Sequence, residues 1–563
     1  MKQLSFLLFL PCFLFGQDNY SPDYDSIISF YRALDKKYPE ALLLESGKSD
    51  IGKPIHLFIL SKDADFNPGS LRKKNKLFLL VNNGIHPGEP DGINACMELS
   101  RDLLSRKSIP STMVILIIPV YNVDGALNRS CCSRANQNGP EAYGFRGNAK
   151  NLDLNRDFIK CDSENAATFS MLFQSWNPDI FVDTHVSNGA DYQYTLTLIT
   201  TQKDKLNPHL SSFVNQKMEP ALYDACSKKG FPVAPYVNTS GKTPESGIVG
   251  FMETPRYSTG YAALFNCIGF VTETHMLKPF KQRVKATRVF LDELINYANK
   301  NAEAIMEVRK KAQESLASQK QFCLSWKLDT SNFSYFKFRG YEPEYKTSEI
   351  SGKPRLFYNQ KKPFEKNIPF FNNYTPQNCV SIPDFYLVPQ AWKAVIDKLK
   401  INQVPIRILT RDTLIKAEVY KITQWNSLKS PYEGHFLHHS VKTEKETREI
   451  KCYAGDLLVP TGNIKTRYVV ETLEPEGPDS FFAWNFFDPI LQQKEWFSDY
   501  VFEDLALEFL KKNPQLKADL EKAKKENPDQ FKDPDSELYF IYRNSPWFEK
   551  SYMIYPVARI FSR

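Results

Sequence analysis

The sequence predicts an α/β layered region with a largely parallel sheet, followed by a β-rich region. Three observations carry this reading. Short apolar runs alternate with helical patterns from about residue 21 to 318, the alternation that marks a layered α/β domain. After about residue 320 the texture changes to aromatics, prolines and short alternating strands. The chain has 563 residues, too many for one ordinary core at roughly 100–200 residues per domain.

Taken in order, "IISFYRALDKKY" has amphipathic helical spacing. "PIHLFILS" and "KLFLLVNN" are short apolar runs ended by polar residues and predict strands, the second fully buried. "DGINACMELSRDLLS" opens on an aspartate start signal and continues with helical spacing. "TMVILIIPVYN" predicts another buried strand, "SENAATFSMLFQSW" a helix, and "PDIFVDTH" and "CIGFVTETH" strands. "NLDLNRDF" alternates as a strand does and ends in polar groups, and residues 281–319 form one long helical stretch. In the second region "FSYFKFRGYEPEY", "VPIRILTRDT", "GDLLVPTG" and "TRYVVETLEP" predict strands. "QAWKAVIDKLK" and a run over about 500–528 predict helices.

Hydrophobic residues at 42% and charged residues at 24% fit a folded globular chain. The net charge of +7 is mild for this length and no dense Lys/Arg block occurs, so nucleic-acid binding has no support beyond overall sign. Residues 1–16 carry Lys2, an apolar run from Leu4 to Phe15 and a small residue, Gly16. That is the pattern of a secretory signal peptide, and the run is too short to span a bilayer. Pro11 before Cys12 matches a lipid-attachment box poorly, and no later segment is apolar enough for a membrane span. Of the ten cysteines nine follow the leader; export permits disulfides, and the odd count leaves one thiol over within a monomer. No CxxC pattern is present, and the adjacent Cys131 and Cys132 are expected to have separate fates.

Ligands of open α/β sheets gather at the carboxyl ends of strands, and chemically active groups sit at these ends here. His86 and Glu89 follow "KLFLLVNN", Asp183 and His185 close "PDIFVDTH", and Glu273 and His275 close "CIGFVTETH". A catalytic zinc typically takes three protein ligands and leaves one position for water. His86 and Glu89 reach one metal from a single tight turn shaped by Pro87 and Gly88, and His185 on a distant strand end suits the third place. Asp183, two residues earlier, is a strand neighbour or an outer partner that orients the histidine. HxxE alone is weak evidence, because short motifs recur by chance.

The ordered set is specific. "GIHPGEP", "NVDG" at 122–125, "RGNAKNLDLNRDF" at 146–158, "PDIFVDTH" at 178–185 and "VTETH" at 271–275 together resemble the carboxypeptidase A-like zinc metallopeptidases, including bacterial exported members. The resemblance covers residues 21–318; residues 319–563 carry none of its motifs and are expected to form a β-rich accessory domain. It implies a three-layer α/β/α fold with a mostly parallel mixed sheet, and one zinc ion per chain held by His86, Glu89 and His185. It also implies Glu273 as general base, and Asn155 and Arg156 as the pair that holds the substrate's terminal carboxylate. A further arginine steadies the developing oxyanion: Arg146 is expected, with Arg134 as the competitor. Of the family's substrate-closing tyrosine, "TPRYSTGYAALFN" offers Tyr257 and Tyr261 without choosing. Arg256 in the same loop touches substrate or caps a helix.

The expected partner is a peptide with a free carboxylate, and the expected reaction removes C-terminal residues. Three readings compete: a carboxypeptidase, an amidase, deacylase or peptidoglycan stem-peptide hydrolase with the same zinc chemistry, and a non-catalytic binding protein on the scaffold. His435, His438 and His439 in "HFLHH" lack acidic or Cys partners at a matching spacing and read as a partly exposed strand or loop cluster rather than a second metal site. His275 either lines the site or packs beside it. The sequence sets no oligomeric state.

Overall fold

The computed structural model describes residues 19–561; the leader at 1–16 and Cys12 lie outside the described residues. Its first half is built on an eight-stranded mixed sheet. The strands are β1 (Ala41–Lys48), β2 (Pro54–Ser61), β3 (Leu77–Asn82), β4 (Met113–Ile118), β5 (Ile180–Ser187), β6 (Leu196–Thr200), β7 (Val233–Pro235) and, after a short β8 (Ile248–Val249) outside this sheet, β9 (Ile268–His275). The spatial order is β1-β2-β4-β3-β5-β9-β6-β7. At the centre β4, β3, β5 and β9 run parallel. Their near-continuous apolar sequences fit strands covered on both faces, and every residue of β3, β4 and β5 is buried. Helices Asp91–Ser105, Glu164–Trp176 and Phe280–Lys300 bury their apolar sides in the same core.

Register places the chemistry. β3 pairs with β5 so that Asn82 lies opposite Asp183, and β5 pairs with β9 so that His185 lies opposite Glu273. The carboxyl ends of three parallel neighbours thus open on one spot.

Several expected elements differ. "NLDLNRDF" is not a strand: Asp153 accepts a hydrogen bond from the backbone of Asn155 at 2.9 Å and closes a 3₁₀ turn, Leu154–Arg156. A short aspartate side chain that captures its own backbone two residues on competes with strand pairing. The stretch 281–319 divides at Asn301 into Phe280–Lys300 and Ala302–Ser315. The helical run near 500–528 divides before Pro514 into Asp499–Lys512 and Pro514–Glu526, where the missing proline N–H cannot continue the first helix. "VPIRILTRDT" supplies only the two-residue strand Arg407–Ile408, and "TRYVVETLEP" is the helix Thr466–Leu473. Cys131 and Cys132 are bonded to each other, and Cys323 to Cys379; five buried thiols remain.

The second half contains two long hairpins. Strands Ser334–Thr347 and Pro354–Phe371 pair with each other, and the second pairs with β8 of the first half. Strands Thr413–Ser427 and His438–Cys452 form the edge of a six-stranded sheet. The halves share one apolar core. Phe265 stacks on Tyr468 at 5.6 Å, and Asn402 bridges the Tyr261 and Tyr468 hydroxyls at 2.6 and 3.0 Å. Helices Asp499–Lys512, Pro514–Glu526 and Pro534–Arg543 gather around a small cluster of their own.

Asp91 and Arg283 form a fully buried ion pair, with Nε–Oδ2 at 3.0 Å. Breaking such a pair on one side strands the other charge, so Arg283→Met should cost about 3–5 kcal/mol of stability, read from the shift in a denaturant unfolding curve.

Candidate metal centre

His86 and Glu89 stand on the turn that links β3 to helix Asp91–Ser105. The Glu89 backbone N–H donates to the His86 carbonyl at 2.9 Å, so one tight turn aims both side chains the same way. Gly88 is required there: a Cβ would lie 2.7 Å from Arg134 Cδ and 3.2 Å from the Gly144 carbonyl. His185 arrives on β5. Ligand atoms of His86, Glu89 and His185 lie within 4.8 Å of one another, and all three residues are buried. His86 Nδ1 is 3.3 Å from Glu89 Oε1, and His185 Nδ1 is 3.2 Å from Glu89 Oε2.

The donor set fits zinc. Two imidazoles and a carboxylate are a known catalytic ligand set that leaves a fourth position open. His86 Nδ1 is buried without a hydrogen-bond partner, which is costly unless something takes the lone pair. The opposite ring nitrogens are already committed. His86 Nε2 meets Asp153 Oδ1 at 2.9 Å, and His185 Nε2 meets Asp183 Oδ2 at 3.0 Å. Each carboxylate fixes its ring and leaves Nδ1 facing the cluster, as outer partners of metal-bound histidines do.

Electrostatics separates the buried carboxyl groups. Burial opposes charge on Glu89, but Arg134, His86 and the His185 hydrogen bond outweigh it and hold this carboxyl well below its usual range. Asp153 is likewise held low despite burial, chiefly by His86 and then by Arg146 and Arg156. Burial pushes Glu273 up to about 8, with His185 pulling the other way and Glu89 and Glu253 adding repulsion. Burial also raises Glu253 to about 7; its carboxylate accepts from the Thr259 backbone at 3.0 Å and from the Thr259 hydroxyl.

A cavity of about 420 Å³ opens over these groups and is lined by all seven residues singled out in the sequence: His86, Glu89, Arg146, Asn155, Arg156, His185 and Glu273. Arg134 also lines it. Its Nε donates to Gln137 at 2.6 Å, Nη1 to Glu89 at 2.8 Å and Nη2 to the Val186 carbonyl at 3.4 Å. Arg146 is more exposed; its Nε and Nη2 rest on Asp153 at 3.1 and 2.8 Å, and Nη1 lies 3.5 Å from Glu89. Of the two tyrosines, Tyr257 lines the cavity with Arg156 over its ring at 4.4 Å, whereas Tyr261 is buried in the core. His275 packs on Tyr192 and meets the Ala190 carbonyl at 2.8 Å, away from the cavity. Arg256 pairs with Asp479 at 2.7 Å. The "HFLHH" histidines part ways: His435 meets Asp162, His438 meets Ser427 and Asp488, and His439 meets Ser440.

The sequence did not single out Asp153, which holds His86, or Tyr236 and Glu253, which line the same cavity. Asp153 had a signal, since it stands two residues before Asn155 in "LDLNR". Tyr236 and Glu253 sit in loops whose local sequence carries no pattern.

A strand-end cluster of two histidines and a carboxylate shares its cavity with the Glu273 carboxyl, an arrangement suited to a metal-dependent hydrolase. Residues 27–200 match the family model described as zinc carboxypeptidase. The chain is 24% identical over 461 residues to carboxypeptidase 2 of Trichophyton equinum, covering 77% of this chain and 78% of that one. With carboxypeptidase 2 of Trichophyton rubrum it is 23% identical over 495 residues, covering 81% and 82%. Among solved structures it resembles a metallo-carboxypeptidase from Burkholderia cenocepacia (16% identity, TM-score 0.37, 49% of this chain and 70% of that one). It also resembles a metallo-carboxypeptidase from Pseudomonas aeruginosa (14%, TM-score 0.37, 51% and 70%).

The outer carboxylates give a direct test of the centre. Asp183→Asn should weaken zinc binding about 10–100-fold, and His185→Ala should abolish it, both read by competition with a coloured chelator.

Proposed function

We propose that the protein is an exported carboxypeptidase that releases C-terminal residues from peptides, with one zinc ion held by His86, Glu89 and His185. The observation that carries this is the shared cavity: His86, Glu89, His185, Glu273, Asn155 and Arg156 line one space.

Zinc at the three ligands supplies Lewis acidity and makes water acidic enough to yield hydroxide near neutral pH. Glu273 is the general base. Burial leaves its carboxylate poorly solvated and therefore basic, suited to taking a proton from the attacking water and passing it to the leaving amine. Arg146 Nη1 faces the ligand cluster while Asp153 holds the rest of its guanidinium, which suits it to the oxyanion. Arg134 has each of its three nitrogens engaged by protein and anchors its loop.

Arg156 and Asn155 receive the terminal carboxylate. Arg156 Nη1 donates to the Asn155 carbonyl at 2.9 Å and Nε to Tyr432 at 3.1 Å, while Nη2 donates to no described residue. A planar guanidinium so held presents an edge to a carboxylate. Asn155 Oδ1 is buried without a partner, so the side chain is not consumed by the fold. Tyr257, stacked on Arg156, is the tyrosine placed to close over a bound end.

Export is supported by residues 1–16 and by the Cys323–Cys379 disulfide, a bond suited to an oxidising compartment. Among the described residues no helix is long and apolar enough to cross a membrane.

Glu273→Gln should keep its zinc and lose about 10²–10⁴-fold in kcat on a blocked dipeptide; normal turnover in that variant would remove Glu273 from the mechanism. Arg156→Ala should raise KM for substrates with a free C-terminus by about 10–100-fold. An equal effect on C-terminally amidated substrates would show that the arginine does not read the carboxylate.

A further inference from the structure

The carboxylate pair does not stand alone in the first half of the chain. The turn Leu154–Arg156 is gripped by a hairpin tip 276 residues away, Tyr432-Glu433-Gly434-His435. The tip is a two-residue turn. The Tyr432 N–H donates to the His435 carbonyl at 2.8 Å and the His435 N–H returns to the Tyr432 carbonyl at 3.1 Å. Glu433 and Gly434 both have positive φ, 49° and 84°, the conformation that suits a tight hairpin and that glycine adopts without strain.

Three contacts seat this tip on the site. The Tyr432 hydroxyl accepts from Arg156 Nε at 3.1 Å. Glu433 Oε2 accepts from the backbone N–H of Asp153 at 2.7 Å, so the residue that orients His86 is held from both sides. His435 Nε2 meets Asp162 Oδ2 at 2.7 Å beyond the turn. From behind, Trp484 stacks on Tyr432 at 6.2 Å with 19° between the rings, and His435 meets Trp484 edge-on at 5.5 Å. Arg256, tied to Asp479, lies over the Trp484 ring at 4.9 Å. Trp484 and Asp479 are themselves buried, so the support is rigid.

We propose that the hairpin tip 432–435 is part of the substrate-carboxylate site and that Tyr432 is a positioning residue, fixing the plane of Arg156 so that its Nη2 edge meets the substrate's terminal carboxylate. This rests on the reading of Arg156 as the carboxylate's partner. It assigns a task to the second half of the chain: the catalytic half supplies the arginine, and the second half sets its orientation. Tyr432 pins Nε, Asn155 pins Nη1 and the Tyr257 ring covers one face. Without the hydroxyl, Arg156 keeps its charge but gains rotamers, and the freedom must be lost again when the carboxylate binds.

The test is Tyr432→Phe, which removes one oxygen and keeps the ring on Trp484. On a blocked dipeptide KM should rise about tenfold, with kcat within about twofold and zinc content unchanged. Inhibition by the free amino acid product should weaken by the same factor, and inhibition by its methyl ester should not change. His435→Ala, which frees the tip by a different contact, should move KM in the same direction. If Tyr432→Phe leaves KM and product inhibition unchanged while Arg156→Ala raises both, the positioning role is overturned and the reading of Arg156 stands. If kcat falls as far as kcat/KM, or product and ester inhibition change alike, the tip is structural support only and the proposal fails. If Arg156→Ala itself spares KM, the reading of the clamp fails first and takes this inference with it.

Discussion

The site depends on one buried guanidinium. Arg283 is fully buried, and a charged group in that position is tolerated only when its donors are used. Nε and Nη2 face Asp91 at 3.0 and 3.3 Å; Nη1 donates to the carbonyls of Asn138 and Lys278 at 2.8 Å each, and Nη2 to that of Gly139 at 2.8 Å. These partners belong to three segments remote in sequence. Asp91 opens the helix that follows the His86–Glu89 turn, Asn138 and Gly139 end the loop that carries Arg134, and Lys278 follows β9. The Thr274 hydroxyl, beside Glu273, closes the set on Asp91. The His86–Glu89 turn, the strand that ends at Glu273 and His275, and the Arg134 loop are therefore referred to a single ion pair. A displacement of any of them would leave a buried donor unpaired.

That dependence explains what the sequence made visible. Strand ends were legible because β3, β5 and β9 are short continuous apolar runs that stop at polar residues, and parallel pairing then forces His86, His185 and Glu273 into one region. Arg283 was not legible. In "KQRVKATRVFLDELINY" it is one basic residue of an amphipathic helix, and nothing local separates it from Arg288, which lies at the surface with Asp292. Tyr432 and Glu433 were hidden for a similar reason. Their role is a contact with residues 153–156, and local pattern carries no information about a pairing nearly 280 residues long.

The second half was legible in kind and not in outline. The strand His438–Cys452 reads "HHSVKTEKETREIKC", exposed over most of its length, without the apolar alternation that marks a half-buried strand. Its pairing with Thr413–Ser427 rests on cross-strand partners such as Lys416 opposite Glu449 and Lys421 opposite Glu444, which contribute modestly each. The composition changes near residue 320, but composition does not reveal that Phe265 and Tyr468 stack across that point. The polar contacts at this seam, Asn402 between two tyrosine hydroxyls and Lys205 near Glu471 at 3.8 Å, are buried and satisfied. Contacts of that kind fix a relative orientation more strictly than apolar contact alone, since sliding would unpair them.

The contrast between Glu89 and Glu273 shows how such strictness becomes chemistry. Both carboxyl groups line the cavity beside the same histidines, Glu89 buried and Glu273 partly so, and loss of solvent alone would push both toward the protonated form. Glu89 receives the Arg134 guanidinium and the Val186 N–H at 2.8 and 2.9 Å and stays anionic. Glu273 receives no such donors among the described residues and faces the negative charges of Glu89 and Glu253, so it holds a proton more readily. A divalent cation held by His86, Glu89 and His185 would lower that affinity again. Two carboxyl groups of one chemical type are thus driven to opposite tasks by their neighbours. The neighbours that do so, Arg134 on its loop and Glu253 beside Thr259, are held in place by contacts outside the motif itself.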